Sequence, residues 1–223
     1  MDTAQDGSLI VAGEARGDVL TLSPDEVSIL WDGVERSPEA LRDGMLLEVG
    51  FGGTILETYP AQFYQPRSIT VLEEGEDLCG LYLQVLNDLW ADALGGESGV
   101  ETIGVDASAL EGLSEGETDA MAYAFGMAHQ TGLPLRGTFD ELTEQGYIEP
   151  AGDGPGRWPG GALFRLEGSA DTGFQVCCWT GTEVIWRCSA AQDAAGNWSY
   201  RTDSAALTCG GSKPNIPKGG PPV

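Results

Sequence analysis

The first 212 residues contain no lysine, and the whole chain contains a single histidine, His129. The nine arginines, with Lys213 and Lys218 near the end, stand against 35 Asp and Glu, giving a formal net charge of −24. Affinity for nucleic-acid phosphates or an anionic membrane surface comes from Lys and Arg displacing counterions, so both partners are excluded by charge. Lysine depletion beside abundant Ala, Gly, Asp and Glu fits a compositional bias of the coding genome as well as a surface adapted to cations or basic partners. One histidine excludes a multi-histidine metal site within one chain. It also obliges any Ser-His-Asp or Cys-His arrangement to use His129 as its base. No run approaches the ~18 apolar residues of a membrane helix, so direct membrane insertion is not expected. The start, Met1-Asp2-Thr3-Ala4-Gln5-Asp6-Gly7, lacks the basic and apolar regions of a signal peptide. That leaves a cytoplasmic protein, or a mature segment whose export signal has been removed.

Five cysteines are present, an odd number with no C-x-x-C pair, which argues against structural zinc. Cys177 and Cys178 are adjacent and point to opposite faces of a strand. Cys188 lies across a predicted hairpin from them, so one disulfide there stays open. Cys79 falls on an apolar helix face, as a small hydrophobe. No D-x-[DN]-x-[DN]-G loop for calcium occurs, and Gly152, Gly154 and Gly156 lack the strand and helix of a dinucleotide site. No cofactor and no metal site is indicated. Asn197-Trp198-Ser199 matches a glycosylation sequon but falls in a predicted strand.

Hydrophobic residues make up 41% of the chain, enough for a real core. Residues 8 to about 74 read as short strands broken by glycine turns. Val27, Ile29 and Trp31 alternate onto one face. Leu41–Gly44 turns into Met45–Phe51, and Gly52-Gly53 suggests a tight hairpin into Thr54–Glu57. Several short strands without a long helix predict a small closed antiparallel barrel over 1–74. Leu78, Leu81, Tyr82, Val85, Leu86, Leu89 and Trp90 recur at helical spacing up to about Leu94, with Asp77 as cap. Ser114-Glu115-Gly116-Glu117 and Thr138-Phe139-Asp140-Glu141 are capping boxes that open two further helices. Consecutive strands follow, at Ala162–Leu166, Gly173–Thr180, Glu183–Cys188 and Trp198–Arg201, with Gly181-Thr182 as a two-residue turn. The expectation for 77–205 is an α+β domain with three helices and an antiparallel sheet. Residues 206–223 read as a disordered Gly/Pro-rich tail.

The run Leu41-Arg42-Asp43-Gly44, then Gly52-Gly53, then Ile55-Leu56-Glu57-Thr58-Tyr59-Pro60-Ala61-Gln62, resembles a small β-barrel domain of exported lipoproteins from gut-dwelling anaerobic Gram-positive bacteria. Glu57–Gln62 is its most recognisable piece. Ser114–Ile148 and the helix before it resemble a companion region of such uncharacterised exported proteins. The resemblance covers roughly the first third of the chain. It implies a barrel similar to an OB fold and an extracytoplasmic home, secreted or membrane-anchored, and no chemistry.

Aromatic residues gather in two places. Tyr59, Phe63 and Tyr64 flank the irregular segment around Pro60. Trp179, Trp186 and Trp198 fall in the C-terminal strands. If Gly181-Thr182 is the turn, Trp179 opposes Val184, Cys177 opposes Trp186, and Trp179 and Trp186 share one face. Core packing and an exposed ligand platform are both open for these tryptophans. The candidate ligand-binding residues are therefore Tyr59, Phe63, Tyr64, Trp179 and Trp186, with no catalytic residue. With 35 acids, some carboxylate pair will meet by chance, so a carboxylate-dependent hydrolase is the second reading and a secreted inhibitor or sensor domain the third. The first is a non-catalytic binding or protein-interaction module for an unknown protein or small-molecule ligand, of unknown oligomeric state. His129 sits near the end of the second helix, where an imidazolium would meet the negative pole of the dipole.

Overall fold

The computed structural model describes residues 8–25, 27–94, 99–150 and 156–203, together with the backbone of 206–208. The fold is α+β, dominated by sheet, with three helices. The N-terminal part contributes strands β1 (Leu9–Ala12), β2 (Val19–Leu22), β3 (Ser28–Trp31), β4 (Val34–Arg36), β5 (Met45–Phe51), β6 (Ile55–Leu56), β7 (Ala61–Phe63) and β8 (Pro66–Glu74). They form two four-stranded sheets, ordered β1-β2-β7-β6 and β4-β3-β8-β5. Leu9 and Leu22 from the first sheet meet Ile29, Ile69 and Val71 from the second, with Leu41 closing the layer. Val27 and Trp31 pack against the same cluster, as their alternation with Ile29 anticipates.

Three expectations for this part are corrected. The sheets are not a closed barrel, because among the described residues no ladder joins the edges of one to the edges of the other. Nor is the pairing wholly antiparallel: β2 runs parallel to β7 and β3 parallel to β8. Gly52-Gly53 makes no hairpin. β5 pairs with β8, and the chain after Gly53 crosses to the other sheet, where β6 pairs with β7. The turn before β5 is as expected. Gly44 has φ +79°, and a Cβ there would lie 2.8 Å from the backbone nitrogen of Asp77.

Helix α1 (Leu78–Leu94) buries Leu81, Tyr82, Val85, Leu86 and Leu89, the stripe visible in the sequence. Asp77 Oδ1 accepts the Gly80 N–H at 2.8 Å, capping its first turn. Strand β9 (Thr102–Leu110) leads into α2 (Glu115–Ala128), then β10 (Leu135–Arg136) and α3 (Phe139–Glu144). Both capping boxes form: Ser114 with Glu117, and Thr138 with Glu141. Strands β11 (Gly161–Ser169), β12 (Gly173–Trp179), β13 (Glu183–Gln192), β14 (Trp198–Thr202) and β15 (Ala206–Thr208) complete a seven-stranded sheet, β10-β9-β11-β12-β13-β14, with β15 also on β13.

This sheet is mixed rather than antiparallel, since β9 lies parallel to both β10 and β11. A parallel pair needs a long crossover, and α2 between β9 and β10 supplies one. Residues 206–208 pair with Glu183–Ile185, so the expected tail begins three residues too early; the rest of it lies outside the described residues. Helices α1 and α2 cover one face of the sheet over Ile103, Phe164, Leu166, Val176 and Trp186. The other face carries a smaller core of Leu142, Ile148, Trp158, Leu163 and Trp179. Ile10 and Val19 turn away from the N-terminal core and join the α1/α2 cluster, so sheet β1-β2-β7-β6 packs on both sides. At that seam the Cα of Gly116 comes so close to the Gly13 carbonyl that any Cβ would overlap it.

Candidate functional site

Tyr59 lies on the β6–β7 connection, where Thr58 Oγ1 donates to the Pro60 carbonyl at 2.7 Å. It is 46% exposed, and its ring meets Tyr123 of α2 edge-on, 5.9 Å between centroids. Glu115, Asp119 and Tyr123 are spaced by four, which places them on one stripe of α2. Asp119 is buried and doubly bound. Gly17 N–H donates to one carboxylate oxygen and Arg136 Nη1 to the other, each at 2.6 Å. Arg136 Nη2 reaches Glu115 at 3.4 Å, and Arg16 Nη2 donates to the Arg136 carbonyl at 2.9 Å. Burial, then the Asp119 charge, push the Tyr59 phenol above its ordinary pKa, against the opposing pull of Arg136. The phenol therefore stays protonated at neutral pH, an exposed ring and donor at the rim of a satisfied ion pair. With both oxygens of Asp119 engaged by charge-assisted or backbone donors, the cluster is a clamp and not an acid–base pair.

Phe63, four residues on, points the other way. Its inner side meets Phe51 at 5.0 Å and the N-terminal core. Its outer side lines an open groove of about 510 Å³ at the end of sheet β1-β2-β7-β6. Leu22 and Pro66 complete the apolar part, and Thr21, Ser23, Asp25, Gln62 and Gln65 supply hydroxyl, carboxylate and amide groups. Tyr64 is 47% exposed, and its N–H donates to the Thr54 carbonyl at 3.1 Å. A second concavity of about 370 Å³ sets Arg36 and Arg42 beside Trp31, Asp32 and Glu74.

The C-terminal tryptophans do not form a platform. Trp179 pairs with Glu183 and Val176 with Trp186, so the turn is the three-residue Thr180-Gly181-Thr182. That one-residue shift from the expected register reverses the face of every side chain on β13 relative to β12. Trp179 is 6% exposed against Phe139 in the small core, and Trp186 is 3% exposed in the large one. Trp198 packs against the large core as well.

Cys177 and Cys178 take opposite faces as expected, and Cys79, Cys177, Cys178 and Cys188 are all free thiols. Burial pushes the Cys79 and Cys178 thiols up to about 12 and Cys188 up to about 11. Cys177 is raised too, by burial and then by its hydrogen bond to Glu183 Oε1 at 2.8 Å. Arg165 holds the same Glu183 oxygen at 3.0 Å.

His129 caps the end of α2, where its ring stacks on Trp90 at 4.0 Å and Nε2 lies 2.9 Å from Asn87 Oδ1. Burial lowers its pKa, so the neutral ring is favoured and the expected imidazolium at the helix pole is not. Among the described residues, no three of His, Cys, Asp and Glu converge as a metal set, and no helix is long and apolar enough to cross a membrane. The groove lining beside Phe63 and the Asp119 clamp were not visible in the sequence. Comparison of the chain with family models, with curated proteins and with solved structures gives no match.

Proposed function

We propose that this chain is a non-catalytic, extracytoplasmic binding module that takes its ligand on the N-terminal sheets, through the segment from Ile55 to Gln65. The observation that carries this reading is the open groove beside Phe63, on a segment that also exposes Tyr59 and Tyr64. Exposed tyrosine rings beside the short strands β6 and β7 recognise ligands at a low entropic cost, because each ring has few torsions to lose on binding. Ile55 and Leu56 are 44% and 41% exposed on the same segment, which enlarges its apolar surface. The N-terminal unit is read as a relative of the small OB-like barrels it resembles, with two sheets around one core in place of a closed ring. The extracytoplasmic home rests on the resemblance of Glu57–Gln62 to exported proteins. Buried thiols of raised pKa suit such a home, because a protonated thiol resists oxidation and exchange.

The test is amide NMR on the intact protein, titrated with soluble cell-envelope glycans and with cationic peptides, beside assays with chromogenic glycosides and esters. Shifts confined to residues 55–65 and their groove neighbours, with no turnover, are expected. Turnover abolished by replacing one carboxylate would establish a hydrolase instead.

A further inference from the structure

The groove at Phe63 carries more than the fact of binding; its lining restricts the ligand. We infer that it takes a neutral saccharide, an inference that rests on the binding-module reading above. Three observations point there. First, Thr21, Ser23, Asp25, Gln62 and Gln65 present hydroxyls, amides and one carboxylate, and among the described residues no arginine or lysine lines the groove. Without a cation, and within the field of a chain of net charge −24, an anionic ligand has nothing to hold it. Vicinal sugar hydroxyls, each both donor and acceptor, match planar amide and carboxylate groups.

Second, the groove lies at the ends of β2 and β7, which are the two interior strands of the sheet β1-β2-β7-β6. The β2–β7 ladder ends at Thr21 and Gln62, and beyond it Leu22 and Phe63 each pair on one side only, with Leu9 and Ile55, so the free edge at the groove is too short for an extended peptide to add a strand. Recognition there falls to side chains, as it does for sugars. Third, the apolar part is one aromatic ring, Phe63, with Pro66 beside it, while Leu22 is almost wholly buried in the core. A small patch built on one ring suits the C–H face of a single pyranose, with the amides around it reading the hydroxyls. The groove is open at the surface, so a chain end or an internal unit of a glycan can enter.

The experiment is an amide NMR titration of the intact chain with neutral hexasaccharides of cellulose, chitin and maltose, with polygalacturonate, and with a lysine-rich hexapeptide. The expected result is saturable movement of the Gln62 and Gln65 side-chain amide signals for at least one neutral hexasaccharide. Asp25→Asn and Gln62→Ala should each weaken it about fivefold, the effect of one lost hydrogen bond, with the melting temperature unchanged. Phe63→Leu should weaken it too, with a small fall in melting temperature from the lost packing against Phe51, while Gln62→Ala keeps that packing and so isolates the loss of binding. If no neutral hexasaccharide moves these signals, or if polygalacturonate or the hexapeptide binds there as tightly, the saccharide inference is wrong. Binding of any of the probes at Tyr59 and Tyr64 alone would overturn it while leaving the binding-module reading in place. Turnover of the hexasaccharides would overturn that reading itself.

Discussion

Replacing Asp119 with alanine removes the carboxylate on which the N-terminal sheets and α2 meet. Its side chain is 5% exposed and accepts two hydrogen bonds of 2.6 Å, from Gly17 N–H and Arg136 Nη1. Among the described residues, Arg136, 14% exposed, would be left with Glu115 at 3.4 Å, whose side chain is 61% exposed and well screened. Breaking a buried pair by removing one member costs about 3–5 kcal/mol when the survivor is left dry. Arg136 retains some contact with water and with Glu115, so about 2–3 kcal/mol is expected here. For a chain of this size that lowers Tm by about 5–10 °C.

Urea unfolding followed by tryptophan fluorescence measures the loss, and a double-mutant cycle with Arg136→Ala assigns it. The coupling should be about 2 kcal/mol, because either single change strands the other charge while the double change strands neither. Limited trypsin digestion gives a second readout. The Arg16 guanidinium is held on the Arg136 carbonyl at 2.9 Å, so Asp119→Ala should make the Arg16–Gly17 bond the first to be cut. Energies that add to within about 0.5 kcal/mol, with unchanged tryptic order, would refute the reasoning and leave Asp119 an ordinary surface-like acid.

In the native protein Cys79, Cys178 and Cys188, with pKa values raised to about 12, 12 and 11, should resist alkylation at pH 8 and label fully in denaturant; rapid native labelling, mapped by peptide mass, would contradict the burial. The lowered pKa of His129 means that the unfolded chain binds the extra proton more readily. Its contribution is fully present above the unfolded value of 6.5 and is lost as pH falls through the folded one. Urea midpoints of the parent protein should therefore fall relative to His129→Gln between pH 8 and pH 5, and parallel profiles would contradict this. Gel-shift and vesicle co-sedimentation assays at physiological salt should show no binding to DNA, RNA or anionic lipid, and saturable micromolar binding to either polyanion would contradict the charge argument.

Local chemistry was legible in the sequence and non-local pairing was not. Helix α1 showed itself by seven apolar residues on one stripe, and both capping boxes by residues three apart, since each is decided within a turn or two of chain. Register was lost at Thr180-Gly181-Thr182, because a Gly-X pair inside a three-residue turn looks the same as a two-residue turn. One slipped residue then moved Trp186 to the wrong face. The parallel pairs β2/β7, β3/β8 and β9/β11 join strands separated by dozens of residues, and alternation alone carries no information about direction. Asp119 escaped notice as one acid among 35, although it sits within the buried run Thr118-Asp119-Ala120-Met121-Ala122. A charge embedded in an apolar helical face was the available signal.

The distribution of arginine ties these features together. With nine arginines for the first 212 residues, a cation is scarce in this chain, and two of them are placed in well-ordered pairs. Arg136 holds Asp119 where the N-terminal sheets meet α2, and Arg165 holds Glu183, which also receives the Cys177 thiol. Each guanidinium divides its nitrogens between two acids, Asp119 and Glu115 for Arg136 and Glu183 and Glu167 for Arg165, a spread that the single ammonium of lysine does not match. With 35 acids against eleven cationic side chains, the summed field is negative and extends over the Phe63 groove. That field turns away polyanions at a distance and leaves neutral ligands unaffected. For the proposed saccharide, recognition would rest on short-range contacts with Phe63, Gln62 and Asp25, and binding should be nearly independent of salt. A macromolecular partner drawn by the same field would instead carry a basic patch and bind more weakly as salt rises.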